Sequence, residues 1–105
     1  MSELDITKLD PALHSPVRIG IMTVLSTNIE ADFNYLKKSM DVTDGNLSSH
    51  LSKLEQIGFV KITKGFAGKK TRTTCRITEK GTNAFKSYIE ALENIIKKSK
   101  TGKSK

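Results

Sequence analysis

The residues with the clearest potential for chemistry lie between positions 44 and 56, where small and hydrogen-bonding side chains recur at helical spacing. With about 3.6 residues per turn, they fall on one face of a single helix. The members of this face are Gly45, Asn46, Ser49, Ser52, Lys53 and Gln56. Asn, Ser and Lys can hydrogen-bond to base edges and phosphates, and small residues allow a helix to approach its ligand closely. Because the face contains no acid, the pattern favours contact with a polyanion over simple exposure to solvent.

The opposite face of the same helix is apolar and must hold it against a core. Leu47, Leu51 and Leu54 are spaced by four and three residues, so they share one side of the helix. Thr43 is a good N-cap because its hydroxyl can accept an unpaired N–H of the first turn, and the Asp44 carboxylate suits the positive helix end. The sequence therefore predicts a helix that begins after Thr43 and buries its leucines.

A shorter helix is predicted immediately before this one. Leu36 and Met40 are four residues apart and supply its apolar contacts. Asp41 and Val42 are predicted to form the tight turn between the two helices, with Val42 directed inward. Tyr35 could contact a nucleic-acid backbone or cover the core, and the sequence leaves both roles open.

Two further elements precede this helix pair. Ser15-Pro16 is a helix start signal, and the helix is predicted to run to about residue 26 and to be apolar almost all round, as a central core helix is. Its only strong charge is Arg18, for which we favour a surface salt bridge, with a phosphate contact as the alternative. Residues 31–33 are predicted to form a short strand, and Asn34 is expected to cap the helix that follows.

A basic hairpin is predicted after the polar-faced helix. Gly58 ends the helix, residues 59–64 form a strand by their β-branched and aromatic content, residues 65–70 form the turn, and residues 71–77 return. The cations of this stretch are Lys61, Lys64, Lys69, Lys70, Arg72 and Arg76. It contains no acid, whereas an ordinary exposed hairpin mixes charges of both signs. This bias predicts a hairpin that grips a polyanion.

The last helix is predicted to start with Thr78 as N-cap and Glu79 in its first turn, and it carries a long apolar stripe. The stripe consists of Phe85, Tyr88, Ile89, Leu92, Ile95 and Ile96. Part of it must pack on the domain, while the far end is expected to project and offer a partner surface. Residues 99–105 contain only Lys, Ser, Thr and Gly and are predicted to be a disordered basic tail, so the folded domain is expected to span residues 1–98.

Composition bounds the class of protein. A chain of 105 residues is expected to form one domain with a small core. Its formal net charge of +7 favours a polyanionic partner. No apolar run approaches the roughly 20 residues that a membrane span needs, and the N-terminus lacks the layout of a secretion signal. We therefore expect a soluble, cytoplasmic protein without membrane contact.

The residues that most often perform catalysis or bind metals are scarce. Cys75 is the single cysteine, so we expect a core residue rather than a redox sensor, and neither an intrachain disulfide nor a cysteine cluster for zinc is possible. His50 lies at the edge of the polar-faced helix, where a phosphate contact or a packed, hydrogen-bonded imidazole is favoured over a metal ligand. The sequence has no phosphate loop, no Gly-rich dinucleotide turn and no HExxH motif. We expect no enzyme activity, no cofactor and no metal site, and the sequence leaves open whether an effector ligand exists.

The order of these elements resembles that of winged helix-turn-helix transcription regulators, especially the small MarR-like and ArsR-like regulators of bacteria and archaea. The run TDGNLSSHLSKLEQIGFV is similar to the family's recognition helix and first wing strand, and KITKGFAGKKTRTTCRITEKG is similar to its strand–wing–strand and the start of its last helix. The resemblance covers about residues 9–96. It implies an α+β, mostly α, fold with a two- to three-stranded antiparallel wing sheet and a long C-terminal helix. Asp41 stands where many such sequences have Gly, but Asp tolerates left-handed backbone.

Together with the polar face and the basic hairpin, the resemblance implies a surface for double-stranded DNA. On the recognition helix we expect the DNA-contacting residues to be Thr43, Gly45, Asn46, Ser48, Ser49, His50 and Lys53. In the wing we expect them to be Lys64, Lys69, Lys70, Thr71 and Arg72. The helix would enter the major groove, and the wing would meet the backbone or the minor groove.

A homodimer is expected because one recognition helix covers too few base pairs to select a site. The last helix is its predicted seat, with help from the N-terminal segment, for which a short helix lying on a partner is favoured over a frayed arm. The expected dimer residues are Leu4, Ile6, Leu9, Tyr88, Leu92, Ile95 and Ile96. The alternative is that both segments fold back on their own domain.

The favoured function is a sequence-specific DNA-binding transcriptional regulator, expected to be a repressor. One alternative is a winged helix used as a protein-interaction module, against which the acid-free hairpin and the small polar face count. The other is an RNA-binding protein, which the charge permits. However, the sequence lacks the exposed aromatic pairs that stack single-stranded bases.

Overall fold

A computed structural model describes residues 4–101 of the chain. Its helices are α1 (Pro16–Thr27), α2 (Phe33–Met40), α3 (Asp44–Gln56) and α4 (Glu79–Thr101), preceded by short 3-10 helices at Ile6–Lys8 and Pro11–Leu13. Its strands are β1 (Ala31–Asp32), β2 (Val60–Ala67) and β3 (Lys70–Ile77), which form an antiparallel sheet in the order β1-β3-β2. The predicted α+β, mostly α, winged helix-turn-helix architecture is confirmed.

Helix α1 is the centre of the core and begins where the sequence predicted. The Ser15 Oγ accepts the N–H of Arg18 at 3.3 Å, and Pro16 occupies the first helical position. Its fully buried side chains are Ile21, Met22 and Leu25. Where α2 crosses α1, a Cβ on Gly20 would lie 2.6 Å from the Sδ of Met40, so the two helices approach closely because this position has no side chain.

The start of α2 differs from the prediction. The N-cap is Asp32 rather than Asn34, and its Oδ1 accepts the N–H of Tyr35 at 2.7 Å. Helix α2 begins at Phe33, so β1 has two residues instead of three. Asp and Asn are both good caps. The choice is set by the sheet, because the ladder ends where Asp32 pairs with Thr74 and leaves the Asp32 carboxylate at the helix start.

The turn between α2 and α3 depends on left-handed backbone at Asp41, whose φ is 53°. Among the described residues it is the only one other than glycine with a positive φ, and Asp tolerates this conformation better than most residues. The backbone N–H of Asp41 bonds to the carbonyl of Lys37 and ends α2. Thr43 then caps α3 as predicted, because its Oγ1 accepts the N–H of Asn46 at 3.1 Å.

The wing hairpin is longer than predicted. Strands β2 and β3 leave a turn of only two residues, Gly68 and Lys69. Gly68 has a φ of 68°, which favours glycine at this place. The prediction of a turn over residues 65–70 was wrong because Gly65, taken as a turn signal, lies in extended strand opposite Arg72.

Helix α4 is fixed to the base of the wing. The Thr78 Oγ1 accepts the N–H of Gly81 at 3.0 Å and donates to the carbonyl of Gly58 at 2.6 Å. A Cβ on Gly81 would lie 2.1 Å from the carbonyl oxygen of Phe59, so the helix can approach the backbone just before β2 only with glycine at this position. The helix extends to Thr101, past the boundary predicted at residue 98, and the rest of the predicted tail lies outside the described residues.

Candidate nucleic-acid interface

Helix α3 has one buried face and one exposed face. Leu47, Leu51 and Leu54 are at most 2% exposed and belong to the core that α1 and the sheet share. The exposed face consists of Gly45, Asn46, Ser49, Ser52, Lys53 and Gln56. The buried leucines fix how α3 is turned about its axis, so this face presents amide, hydroxyl and ammonium groups in a set direction.

Gly45, the second residue of α3, is not required by the fold. A Cβ at this position would meet no atom within 4 Å, and the φ of Gly45 is not in the left-handed region. Glycine in a helix interior costs about 1 kcal/mol relative to alanine, and less at a helix end. The missing side chain therefore relieves no crowding in the described residues. It leaves the helix backbone open to close approach from outside.

His50 is half-buried at the edge of this face and is held by a hydrogen bond. Its Nδ1 accepts from the Nε of Arg18 at 2.9 Å, and the Nη1 of Arg18 donates to the carbonyl of Ala12 at 3.1 Å. Both described partners of Arg18 are uncharged, so the predicted salt bridge is wrong. Burial, followed by the Arg18 charge, lowers the pKa of His50 below its ordinary value of 6.5. The imidazole is therefore neutral at neutral pH, and the acceptor role of its Nδ1 places the proton on Nε2.

Two acids lie near this face, and each has a partner. The Asp44 carboxylate in the first turn of α3 lies 2.7 Å from the Nζ of Lys37. The Glu55 carboxylate accepts the N–H of Ile62 at 3.2 Å. The first contact offsets a charge that would repel phosphate, and the second ties the end of α3 to the wing.

The wing residues predicted to contact DNA are all exposed. They are Lys64, Lys69, Lys70, Thr71 and Arg72. Lys69 and Lys70 stand at the tip. The Nε of Arg72 lies 3.8 Å from the Oδ2 of Asp32, so this guanidinium lies beside β1, nearer the base of the sheet than the tip.

A cleft separates α3 from the wing and brings the two predicted surfaces together. Ser48 and Ser52 line it from the helix, and Lys64 and Thr73 line it from the wing. Two hydroxyls of α3 therefore face the Lys64 ammonium and the Thr73 hydroxyl of the wing, and Glu55 of α3 also lines the cleft.

Phe66 was missing from the predicted site. It is 76% exposed and lies in β2 opposite Thr71, next to the tip. Its position in a glycine-rich stretch suggested an irregular turn, in which no side-chain direction could be assigned. The available signal was the aromatic residue itself, set between small residues in an acid-free basic run.

The N-terminal segment packs on α4 of its own chain. Leu4 and Lys8 line a groove with Ala91 and Ile95, which agrees in part with the alternative that this segment folds back. Ile6 remains 65% exposed and Ile96 49% exposed. The other predicted dimer residues that are partly exposed are Leu4, Leu9, Leu92 and Ile95.

Tyr88, also predicted at the dimer interface, is covered within the monomer. It is 3% exposed, and its hydroxyl lies 2.9 Å from the Nδ1 of His14. This burial removes Tyr88 from the surface that a partner can reach.

The described residues contain no group of three or more His, Cys, Asp or Glu side chains that could hold a metal ion. Cys75 is buried as predicted, and this burial, with smaller contributions from the Glu55 and Asp32 charges, raises the pKa of its thiol to about 11. The thiol is thus protonated at neutral pH and is a poor nucleophile. No helix within residues 4–101 is long and apolar enough to cross a membrane.

Comparison with known proteins places this architecture. Residues 17–96 match the model of the winged helix DNA-binding domain family. The chain is 42% identical over 84 residues to an uncharacterized protein of Methanocaldococcus jannaschii, an alignment that covers 80% of this chain and 91% of that protein. It is similar to the solved transcriptional regulator homologue from Pyrococcus horikoshii, with 37% identity, a TM-score of 0.82, and coverage of 92% of this chain and 96% of that one.

A more distant structure shares the fold. The transcriptional repressor CouR, solved with a 23-mer DNA duplex, has 15% identity and a TM-score of 0.70, with 84% of this chain and 61% of that one covered. The structural neighbours are transcriptional regulators of the MarR-like winged-helix type, and the family and fold are those of regulators rather than enzymes. The chain therefore belongs to the winged helix DNA-binding domain family.

Proposed function

We propose that this protein is a sequence-specific, double-stranded DNA-binding transcriptional regulator that acts as a homodimer. In this proposal α3 enters the major groove and the wing meets the backbone or the minor groove. The observation that carries it is the exposed face of α3, which is acid-free and rigidly held and has a glycine at position 45 that the fold does not require.

Base recognition is assigned to the exposed face of α3. The Asn46 amide can pair bidentately with adenine, a contact worth about 1–3 kcal/mol of discrimination. Ser49 and Lys53 lie further along the same face, where hydroxyl and ammonium groups suit base edges and phosphates. Thr43 and Ser48 are exposed beside this face. They complete the contact set together with the neutral His50, whose Nε2–H is a donor.

Sequence-independent contacts with the DNA backbone are assigned to the wing. Lys69 and Lys70 at the tip, with Thr71 beside them, are exposed and suited to phosphate contacts. Lys64 faces the cleft toward α3, where it can follow the same strand of DNA. Arg72 shares its charge with Asp32 and contributes less. Each phosphate neutralised steepens the dependence of binding on salt.

The dimer is proposed to form through the far end of α4. Ile96 is half exposed there, next to the partly exposed Leu92 and Ile95, and Ile6 of the N-terminal segment is exposed on the same chain. Leu4 and Leu9 of the same N-terminal segment would add apolar contacts to this surface. A two-fold axis would present two recognition helices to half-sites about 34–36 Å apart or a multiple of that distance.

Repression is the proposed outcome of binding. Support comes from the shared fold with CouR, which is described as a transcriptional repressor and was solved with DNA. A bound dimer would block polymerase wherever its site overlaps a promoter. Transcription in vitro should therefore fall on a template with the site across the start point and stay unchanged with the site placed far upstream. Stimulation from either template would reverse the assigned direction.

Selection from random duplex DNA tests the proposal as a whole. We expect enrichment of a palindromic site, bound roughly a thousandfold or more tightly than scrambled duplex, as for specific regulators generally. The selected duplex, a scrambled duplex and an RNA of the same sequence then compete in a gel-shift assay. If RNA competed as well as the selected duplex, the protein would have no preference for double-stranded DNA. If no sequence were enriched, sequence-specific binding would be contradicted.

Sedimentation tests the dimer. Wild-type protein should have the mass of a dimer at micromolar concentration, and Leu92→Glu with Ile96→Glu should shift it to a monomer that retains its helical circular dichroism. Thr82→Glu with Lys86→Glu, at exposed α4 positions outside the apolar stripe, is the matched control. A wild-type monomer at every concentration would contradict dimerisation, and a dimer that survives the double substitution would move it away from α4.

A further inference from the structure

The exposed Phe66 ring points to the same side of the wing as the cleft against α3. Along β2, alternate side chains share a face, so Phe66 lies on the face of Lys64 and Ile62. Ile62 packs against the core, and both Ile62 and Lys64 line the cleft. Phe66 therefore extends this face outward from α3, on the side where the proposed DNA would lie.

The ring is carried on a part of the hairpin that no third strand supports. Strand β1 pairs only with Thr74 and Cys75, so the ladder farther out has two strands. Phe66 is 76% exposed there, which leaves most of an apolar ring in water. Because it contributes so little to the core, burial in the monomer does not account for the residue.

The residues around Phe66 make the tip slim. Its neighbours in sequence are Gly65 and Ala67, followed by Gly68 in the turn. Gly68 is needed for its positive φ, but Gly65 has an ordinary φ and no atom within 4 Å of an added Cβ. Glycine in a strand interior weakens the strand and often marks the close approach of a ligand. A tip with one large side chain between small ones fits a narrow groove better than a broad surface.

Charge holds such a tip against DNA. Lys64 lies on the same face of β2 as Phe66, Lys69 is in the turn beyond it, and Lys70, opposite Ala67, lies on the other face of the hairpin. No acid occurs from residue 59 to residue 77. The minor groove is only about 6 Å wide and is bordered by phosphates. Lys64 on the Phe66 face and the two lysines at the tip can bind these phosphates while the ring enters the groove.

We propose that Phe66 is an apolar wedge, which the wing inserts into the minor groove beside the site read by α3. Insertion partly unstacks one base step and bends the duplex toward the major groove, as other apolar wedges do. The wedge deepens the proposed function and rests on it, since it needs α3 to bring the wing to duplex DNA. It also adds indirect recognition, because pyrimidine–purine steps unstack more easily than others.

The test uses the full chain and the duplex that wild-type protein selects from a random pool. 2-Aminopurine is scanned through the site and its flanks, because its fluorescence rises when it is unstacked, and dyes at the two ends report bending by energy transfer. Wild-type protein should raise the fluorescence at one step per half-site and shorten the end-to-end distance. Phe66→Ala should lose both signals and weaken binding about tenfold, with an unchanged salt slope. Phe66→Leu, which keeps an apolar side chain, should retain most of both signals.

Lys69→Ala is the matched control at the same tip. This variant should have a lower salt slope but should keep the rise in fluorescence, so phosphate contacts and ring insertion can be distinguished. Identical fluorescence and bending with wild-type and Phe66→Ala proteins would overturn the wedge while specific binding stood. Wild-type protein that bound no duplex would instead overturn the proposed function. A solution mass that fell on Phe66→Ala without DNA would assign the ring to a protein contact and also overturn the wedge.

Discussion

Helix α3 and the wing tip face the same side of the molecule but are supported in opposite ways. Helix α3 is anchored by three leucines that are at most 2% exposed. The wing beyond Thr63 is a two-stranded ribbon whose side chains are mostly exposed. A rigid element suits the reading of base edges, since a small displacement breaks a hydrogen bond. A ribbon with few contacts can adjust to the shape of a groove, so the proposed roles of direct recognition for α3 and indirect recognition for the wing agree with how each element is supported.

The largest expected effect separates the two regions by stability. Leu51→Ala should lower the free energy of unfolding by about 2–5 kcal/mol, because it leaves a cavity in the core. Phe66→Ala should change it by less than about 0.5 kcal/mol, because the ring is exposed. Urea unfolding followed by circular dichroism measures both. Similar reductions for the two variants would contradict the difference in anchoring.

The next effect concerns base preference. Asn46→Ala should remove about 1–3 kcal/mol of discrimination at one position of each half-site, because alanine cannot form the bidentate pair of hydrogen bonds. Affinities for the selected duplex and for single-base variants of it provide the measurement. Asn83→Ala, an exposed change on α4, is the control and should leave the preference unchanged. If Asn46→Ala weakened binding to selected and scrambled duplexes by one common factor, the residue would not read a base.

The wing should show the complementary behaviour. Lys69→Ala with Lys70→Ala should weaken specific and nonspecific binding together and should reduce the slope of log K against log salt by about 0.9 for each phosphate that the protein no longer neutralises. Titrations at several salt concentrations measure this slope. Lys86→Ala, an exposed change on α4, should leave it unaltered. An unaltered slope in the double variant would exclude these lysines from the interface.

A smaller effect should set stability against binding. Gly45→Ala should raise the free energy of unfolding by up to about 0.5–1 kcal/mol, since alanine is the better helix former and has open space there. The same change should weaken DNA binding by obstructing close approach. Gly65→Ala makes the same substitution in the wing and serves as the comparison. Gly45→Ala protein that bound DNA as well as wild type would show that nothing approaches the α3 backbone at this point.

The smallest expected effect is a dependence on pH. The pKa of His50 is lower in the folded protein than its ordinary value of 6.5, because of burial and the Arg18 charge. The unfolded chain therefore binds this proton more readily, so the stability that comes from a neutral His50 is complete above about pH 6.5 and is lost as pH falls through the folded-state pKa. NMR titration should give the His50 ring a midpoint below 6.5, and His50→Gln should reduce the fall in stability on acidification. A midpoint at or above 6.5 would contradict the effect assigned to burial and the Arg18 charge.

Local signals in the sequence predicted much of the fold correctly. The hydroxyls of Ser15, Thr43 and Thr78 each accept an N–H from the residue three positions ahead, so a short stretch contains each cap signal. The same holds for the leucine spacing of α3 and for the turn at Asp41. These features needed no knowledge of distant parts of the chain.

The wrong predictions concern features that depend on contacts between residues far apart in the sequence. The cap of α2 depends on where β1 stops pairing with β3, and the length of the wing depends on register between its strands. The partners of Arg18 are 6 and 32 positions away, and Tyr88 meets His14 across 74 positions. The direction of the Phe66 side chain depends on Gly65 continuing the strand opposite Arg72. Sequence patterns give the faces of elements, but tertiary pairing determines which side chains meet.

The position of Cys75 has a practical consequence for following motions of this chain. It is the single cysteine, and it lies in the central strand between Ala31 of β1 and Ile62 of β2. Cys75 is 1% exposed, so a thiol reagent reaches it when the packing around β3 opens, and its modification rate follows that opening. A cysteine introduced at the wing tip would react in the intact protein, so a dye could be attached there without removing the native thiol. The native thiol is thus a built-in probe of local opening, and the exposed surface has no native cysteine to compete with site-directed labels.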